Sequence, residues 1–176
     1  MAMAEPPGNP FSREALMDAI NVTQGVWVVE RSRLLHTILG SCVSVCLHDA
    51  VAGVGGMNHY VYPPRGVGMI ERFGNTPFSA DLCLDGLLEA MLRAGARRER
   101  LRAKAFGGGQ MFDLGDAIAI GKRNTSYARF WLTNSGIPLD LSDFHGSHTR
   151  KLVFHPASGQ HLCQHLPTRF EPTPVK

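Results

Sequence analysis

The 176-residue sequence contains no run approaching the ~20 consecutive apolar residues of a membrane-spanning helix, so insertion into a bilayer is not expected. Its first ten residues carry Glu5 and three prolines and lack the charged-then-apolar order of an export signal. A cytoplasmic location is the expectation. Charge is also sparse: charged residues make up 19% and the net charge is +3, too small and too scattered for a nucleic-acid surface. The densest basic run, Arg97 to Arg102, falls where a helix hands over to a strand and reads as a solvated connection. Cysteines number four (Cys42, Cys46, Cys83, Cys163), and without an export signal they are expected as free thiols. No linker, internal repeat or low-complexity segment interrupts the chain.

What remains is a globular composition, 44% hydrophobic, of a length that suits one ordinary domain. That domain is expected over residues 11–166, with flexible, proline-rich termini at 1–10 and 167–176. A short helix is expected from Ser12 to about Ile20. Strands are expected at Gly25–Glu30, Leu34–Leu39, Cys42–His48, Gly53–Tyr62, Leu101–Phe106, Ile137–Leu141, Lys151–His155 and His161–Leu166. The clearest helix runs from about Pro77 to Ala94, with Thr76 as cap and Gly95 as stop. Ala80, Cys83, Leu84, Leu87, Leu88 and Met91 form its apolar stripe. A second helix is expected from about Thr125 to Asn134, capped by Asn124 and stopped by Gly136. Strands and helices do not alternate strictly, which predicts an α+β fold: a mixed sheet or sandwich-like core with helices packed outside.

From Cys42 to His48 the pattern alternates. Val43, Val45 and Leu47 share one face, and Cys42, Ser44, Cys46 and His48 share the other. A hairpin turning around Asp49 to Ala52 would pair Leu47 with Val54 and set Cys42 opposite His59. Opposed residues on an antiparallel pair have Cβ atoms ~4.5–5.5 Å apart, a separation at which a thiol and an imidazole share a proton. Gly40 and Ser41 keep bulk away from Cys42 and leave backbone N–H groups for a developing oxyanion. Spacing alone leaves two readings open: a catalytic pair, or a half-buried thiol beside a hydrogen-bonded histidine.

Other clusters carry less. Cys42 and Cys46 lie four apart on a strand, ~13 Å from each other, too far to share a zinc ion. Cys46 and Cys83 read as core. Gly107-Gly108-Gly109 lacks the lysine and hydroxyl residue of a phosphate loop and suits a close backbone approach beneath a pocket. His145, His148, His155, His161 and His165 are scattered through the terminal strands and their loops, where surface positions account for them.

Taken together, several segments resemble the CheD family of chemoreceptor glutamine deamidases. They are Leu39-Gly40-Ser41-Cys42-Val43-Ser44-Val45-Cys46-Leu47-His48-Asp49, Val54-Gly55-Gly56-Met57-Asn58-His59 with Pro63, Lys104 to Phe112, Ile120-Gly121-Lys122-Arg123-Asn124, and Asp143 to Arg150 with Val153-Phe154. The likeness spans roughly residues 25–165 in order.

The resemblance implies Cys42 as nucleophile and His59 as base. It also implies a fold similar to the catalytic domain of cytotoxic necrotizing factor toxins. The expected activity is hydrolysis of receptor glutamine side chains to glutamate through a thioester, with glutamyl methyl ester hydrolysis as a second reaction. No cofactor and no metal ion enter that chemistry. The implied partners are chemoreceptor cytoplasmic domains and a CheC-type phosphatase. The rival role is a non-catalytic adaptor binding the same partners. The family's third site residue is a threonine upstream of the cysteine. Counted without gaps that position is His36, and a one-residue shift makes it Thr37, which we favour. At Asp143-Phe144-His145-Gly146, His145 stands where the family has the first of two glycines.

Overall fold

The strand that begins beside Cys42 is buried along its whole length, and this organises the molecule. The computed structural model describes residues 8–64, 78–110 and 117–167, with 117–119 described as backbone. In chain order the elements are α1 (Arg13–Met17), β1 (Ile20–Asn21), β2 (Trp27–Glu30), β3 (Leu35–Leu39), β4 (Val43–Asp49), β5 (Val54–Asn58), α2 (Ala80–Arg93), β6 (Arg102–Gly107), α3 (Ala117–Ser135), β7 (Leu139–Phe144), β8 (His148–Phe154) and β9 (His161–Pro167). A five-stranded sheet runs in the order β2-β5-β4-β6-β7, and a four-stranded sheet runs β1-β3-β8-β9. Each sheet is mixed, with one parallel pair: β6 with β7, and β1 with β3.

The alternation read from the sequence divides the core. Val43, Val45 and Leu47 pack with Leu84, Leu87 and Met91 of α2 and with Ala128 and Leu132 of α3. Cys42 and Cys46 face the other way and pack with Leu35, Leu39, Leu152 and Phe154 of the second sheet. The architecture is therefore α+β in three layers: two helices, the five-stranded sheet and the four-stranded sheet. Burying each large aliphatic side chain of these layers contributes ~1.5–3 kcal/mol before entropy is counted. Glycine lets α2 approach closely, because a Cβ on Gly86 would lie 2.5 Å from the Trp27 ring.

Several boundaries differ from expectation. The first helix ends at Met17, and Ile20–Asn21 forms an edge strand against β3. The long helix starts at Ala80 with Ser79 in the cap position, while Thr76 and Pro77 lie outside the described residues. Of the termini expected to be flexible, residues 1–7 and 168–176 lie outside them too. α3 begins at Ala117, eight residues before Thr125, so Asn124 is an interior helical residue and not a cap. Inside α3, the backbone of Gly121 packs on the glycine loop: a Cβ there would lie 2.8 Å from Gly108 O.

The hairpin register also shifts by two residues. Leu47 pairs with Gly56, Asp49 pairs with Val54, and the pairing extends to Val43 opposite Tyr60. Asp49 causes this. Its Oδ1 accepts from the Val51 and Ala52 amides, which closes the turn after Asp49, one residue later than expected, so that β4 runs on to Asp49 and β5 starts at Val54. Arg100 and the Arg97 amide hold the other side of the same buried carboxylate. Burial raises the Asp49 pKa, but these bonds outweigh it and bring it to about 2.

Candidate active site

Cys42 sits at the bend before β4, with 8% of its surface exposed. Three glycines cradle this bend. Gly108 N donates to Cys42 O at 2.9 Å, and Gly109 N donates to Gly40 O at 2.8 Å. Gly107 has φ +117°, and a Cβ there would stand 2.1 Å from Cys42 O, so no side chain fits beneath the cysteine. From the helix side, the buried Asn124 donates through Nδ2 to Ser41 O at 3.3 Å and to Val61 O at 2.9 Å. The same side chain thereby ties the Cys42 bend to the chain leaving His59.

His59 follows β5 and is 4% exposed. With the observed register it lies opposite Ser44, and Cys42 is its diagonal neighbour on the same face, not its direct partner. A two-residue shift preserves the face, so Cys42 and His59 stay on one side of the sheet as diagonal neighbours, a relation that sets Cβ atoms ~7–8 Å apart, and no hydrogen bond joins the thiol to the ring. On its far side the ring meets the second sheet. Thr37 Oγ1 lies 2.8 Å from His59 Nδ1 and donates to Val22 O at 2.7 Å. Its only proton being used on Val22, the hydroxyl accepts the Nδ1–H of His59. Nδ1 is therefore protonated in the neutral ring, and the Nε2 lone pair is free. Nε2 is buried and meets no hydrogen-bond partner among the described residues. Burial holds the imidazole below its ordinary pKa, against a smaller opposite effect of the Val22 carbonyl, so the neutral, proton-accepting form prevails.

Thr37 points inward from β3 with Leu35 and Leu39, whereas His36 and Ile38 point outward. The structure thus brings Thr37 and His59 together and leaves His36 on the other face of the strand. A cleft of about 490 Å³ is lined by Val22, Gln24, Thr37, His59 and Phe78 together with His36 and Ile38 of β3, and Cys42 lies behind Gln24, outside its lining. Sequence reasoning did not single out Gln24. Its Nε2 lies 3.9 Å from Cys42 Sγ, and the next residue, Gly25, donates its amide to His59 O at 2.8 Å. A lone glutamine before a glycine gave no signal of this. Burial pushes the Cys42 thiol up to about 11, more than its own backbone N–H and the Gln24 contact lower it. The resting site is a neutral thiol and a neutral imidazole, without an ion pair.

The remaining positions have other roles. Cys46 and Cys83 are fully buried core residues. His145 takes a left-handed backbone, φ 68°, at the position of the missing glycine. The turn survives because His145 N donates to Gly107 O and its carbonyl accepts from Arg150 Nη2 at 2.7 Å.

Residues 72–165 match the family model described as CheD chemotactic sensory transduction. A protein of Dechloromonas aromatica (strain RCB), "Probable chemoreceptor glutamine deamidase CheD 2", is 40% identical over 158 residues, covering 89% of this chain and 80% of its own. "Probable chemoreceptor glutamine deamidase CheD" of Herminiimonas arsenicoxydans is 36% identical over 157 residues, covering 89% and 77%. An alignment covering 89% of this chain necessarily includes Thr37, Cys42 and His59. Among solved structures, the Bacillus licheniformis hypothetical protein YfiH superposes with a TM-score of 0.43 at 13% identity, over 71% of this chain and 58% of that one, too slight a likeness to build on.

Proposed function

The chain belongs to the CheD family, and on that footing we propose that it deamidates specific glutamine side chains of bacterial chemoreceptors, converting them to glutamate. Its nucleophile in this reading is Cys42 and its general base is His59. Thr37 is a positioning residue that acts through the imidazole. The observation that carries the reading is the Thr37–His59 hydrogen bond, which leaves Nε2 as the free base on the face that holds Cys42.

The reaction proceeds in balanced steps. The glutamine carboxamide enters the cleft. His59 Nε2 takes the Cys42 proton as the sulfur attacks the carbonyl carbon, so the unfavourable free thiolate never accumulates. Among the described residues no carbonyl accepts from the Cys42 N–H, which together with Gln24 Nε2 supplies donors for the tetrahedral oxyanion. The imidazolium returns its proton to the departing nitrogen, ammonia leaves, and a thioester remains. His59 then activates water, the C–S bond breaks, and glutamate and the Cys42 thiol are released. The same thioester route admits a glutamyl methyl ester, with methanol leaving in place of ammonia.

The reading places a single catalytic domain at residues 11–166, acting in the cytoplasm where receptor signalling domains lie. The likeness to the cytotoxic necrotizing factor catalytic domain rests on the sequence resemblance. A CheC-type phosphatase is a second partner by the same resemblance. Incubating the protein with a receptor cytoplasmic fragment, followed by peptide mass spectrometry, tests the function. Conversion of defined glutamines to glutamate supports the deamidase. Binding of the fragment with no conversion leaves the adaptor role in its place.

A further inference from the structure

A second group of chemically active side chains lies where the edges of the two sheets meet, apart from Cys42 and His59. Asp143 is on β7, the edge strand of the five-stranded sheet, and Cys163 and His165 are two residues apart on β9, the edge strand of the other. Asp143 divides its carboxylate. Oδ1 accepts from Arg150 Nη2 at 2.8 Å, and Arg150 is 1% exposed. Oδ2 faces His165 Nε2 at 2.6 Å and Cys163 Sγ at 3.6 Å. One oxygen, one sulfur and one nitrogen donor thus lie within 4.8 Å of one another.

An ordinary ion pair accounts for Arg150 and Asp143 but not for a thiol and an imidazole converging on the second oxygen. Their donor set is the borderline mixture that zinc prefers. Tetrahedral bonds to zinc of ~2.0–2.3 Å place ligand atoms ~3.3–3.6 Å apart. The Asp143–Cys163 separation of 3.6 Å already has that value. His165 is half-exposed, and its Nε2, now 2.6 Å from Oδ2, moves out by about 0.7 Å to reach the same spacing. Its ring is backed by His148, stacked at 3.8 Å between centroids, which fixes its plane. Arg150 plays the part that partners of metal-bound carboxylates commonly play, orienting the ligand from behind.

We propose that Asp143, Cys163 and His165 form a binding site for zinc or a similar borderline divalent cation, with a fourth position open to water, joining the edges of the two sheets. On binding, Cys163 gives its proton to solvent and coordinates as thiolate, and His165 coordinates as the neutral ring. Two anionic donors then face the dication and outweigh the one guanidinium nearby.

The test is titration of metal-free, full-length protein with cobalt(II) under reducing conditions. The expected result is one ion per chain with a thiolate-to-metal charge-transfer band, displaced by zinc. Cys163→Ala abolishes the band, Cys42→Ala retains it in full, and His165→Ala weakens binding by at least ~10-fold. His165 is a half-exposed edge position, so its variant carries the test even where Cys163→Ala fails to fold. No band in the wild type, a band that survives Cys163→Ala, or unchanged affinity in His165→Ala overturns the proposal.

Discussion

Thr37 and His59 come from different sheets, and the 2.8 Å contact between Thr37 Oγ1 and His59 Nδ1 is where the two sheets meet at the site. Because the same hydroxyl donates to Val22 O, the contact sets the tautomer as well as the position of the ring. Replacing Thr37 by valine removes the contact and leaves Val22 O, 3.3 Å from Nδ1, as the ring's remaining acceptor. We expect kcat for deamidation to fall by roughly 10²-fold, within the range a general base contributes. KM should change little, and Thr37→Ser should restore most of the rate. An unchanged kcat in Thr37→Val contradicts the role.

The pH dependence follows from two buried groups. His59 has a pKa below the ordinary imidazole value of 6.5, chiefly through burial, so its neutral form persists as the medium is acidified through that pH. Activity should hold to pH 6.5 and fall only further down, as His59 takes up a proton. Cys42, at about 11, is overwhelmingly a thiol at neutral pH. Alkylation of Cys42 by iodoacetamide should therefore be slow near neutrality and accelerate steadily toward that value. Rapid alkylation at pH 6 would indicate a preformed thiolate–imidazolium pair.

Gln24 is assigned to the oxyanion from its position, 3.9 Å from Cys42 Sγ. Loss of such a donor costs on the order of 10²–10³ in kcat. Gln24→Ala should show a loss in that range with receptor-fragment binding retained, measured by steady-state kinetics beside a binding titration. Equal losses in binding and turnover point instead to a role in substrate binding.

Much of this was legible in the sequence, for identifiable reasons. The alternation from Cys42 to His48 was readable because β4 is buried on both faces against different layers, and the face assignment survived the error in register. The register itself was misread because strand alternation has no marker for where Asp49 captures the Val51 and Ala52 amides. Asn124 carries the signature of a helix cap, since a capping residue and a buried amide donor look alike in one dimension. Its bonds to Ser41 O and Val61 O depend on chain segments more than 60 residues away. Gln24 and Asp143–Cys163–His165 were hidden for the same reason: no local motif announces a contact between strands distant in sequence.

At His145 the chain keeps a turn that favours glycine. A left-handed conformation costs a non-glycine residue ~1–2 kcal/mol, and glycine gives back ~0.4–1 kcal/mol through its freer unfolded state. His145→Gly should therefore stabilise the protein by about 0.5–1 kcal/mol, read as an increased midpoint in urea unfolding. A lowered midpoint would show that the histidine ring contributes more than its backbone costs.

The central claim is that Cys42 is the nucleophile, and the most direct measurement compares deamidation of a receptor cytoplasmic fragment by the wild-type protein, Cys42→Ala and Cys46→Ala. The account predicts conversion of the same glutamines by wild type and by folded Cys46→Ala, and none by Cys42→Ala, whose circular dichroism spectrum should remain that of the wild type. Conversion by Cys42→Ala at the wild-type rate would contradict it.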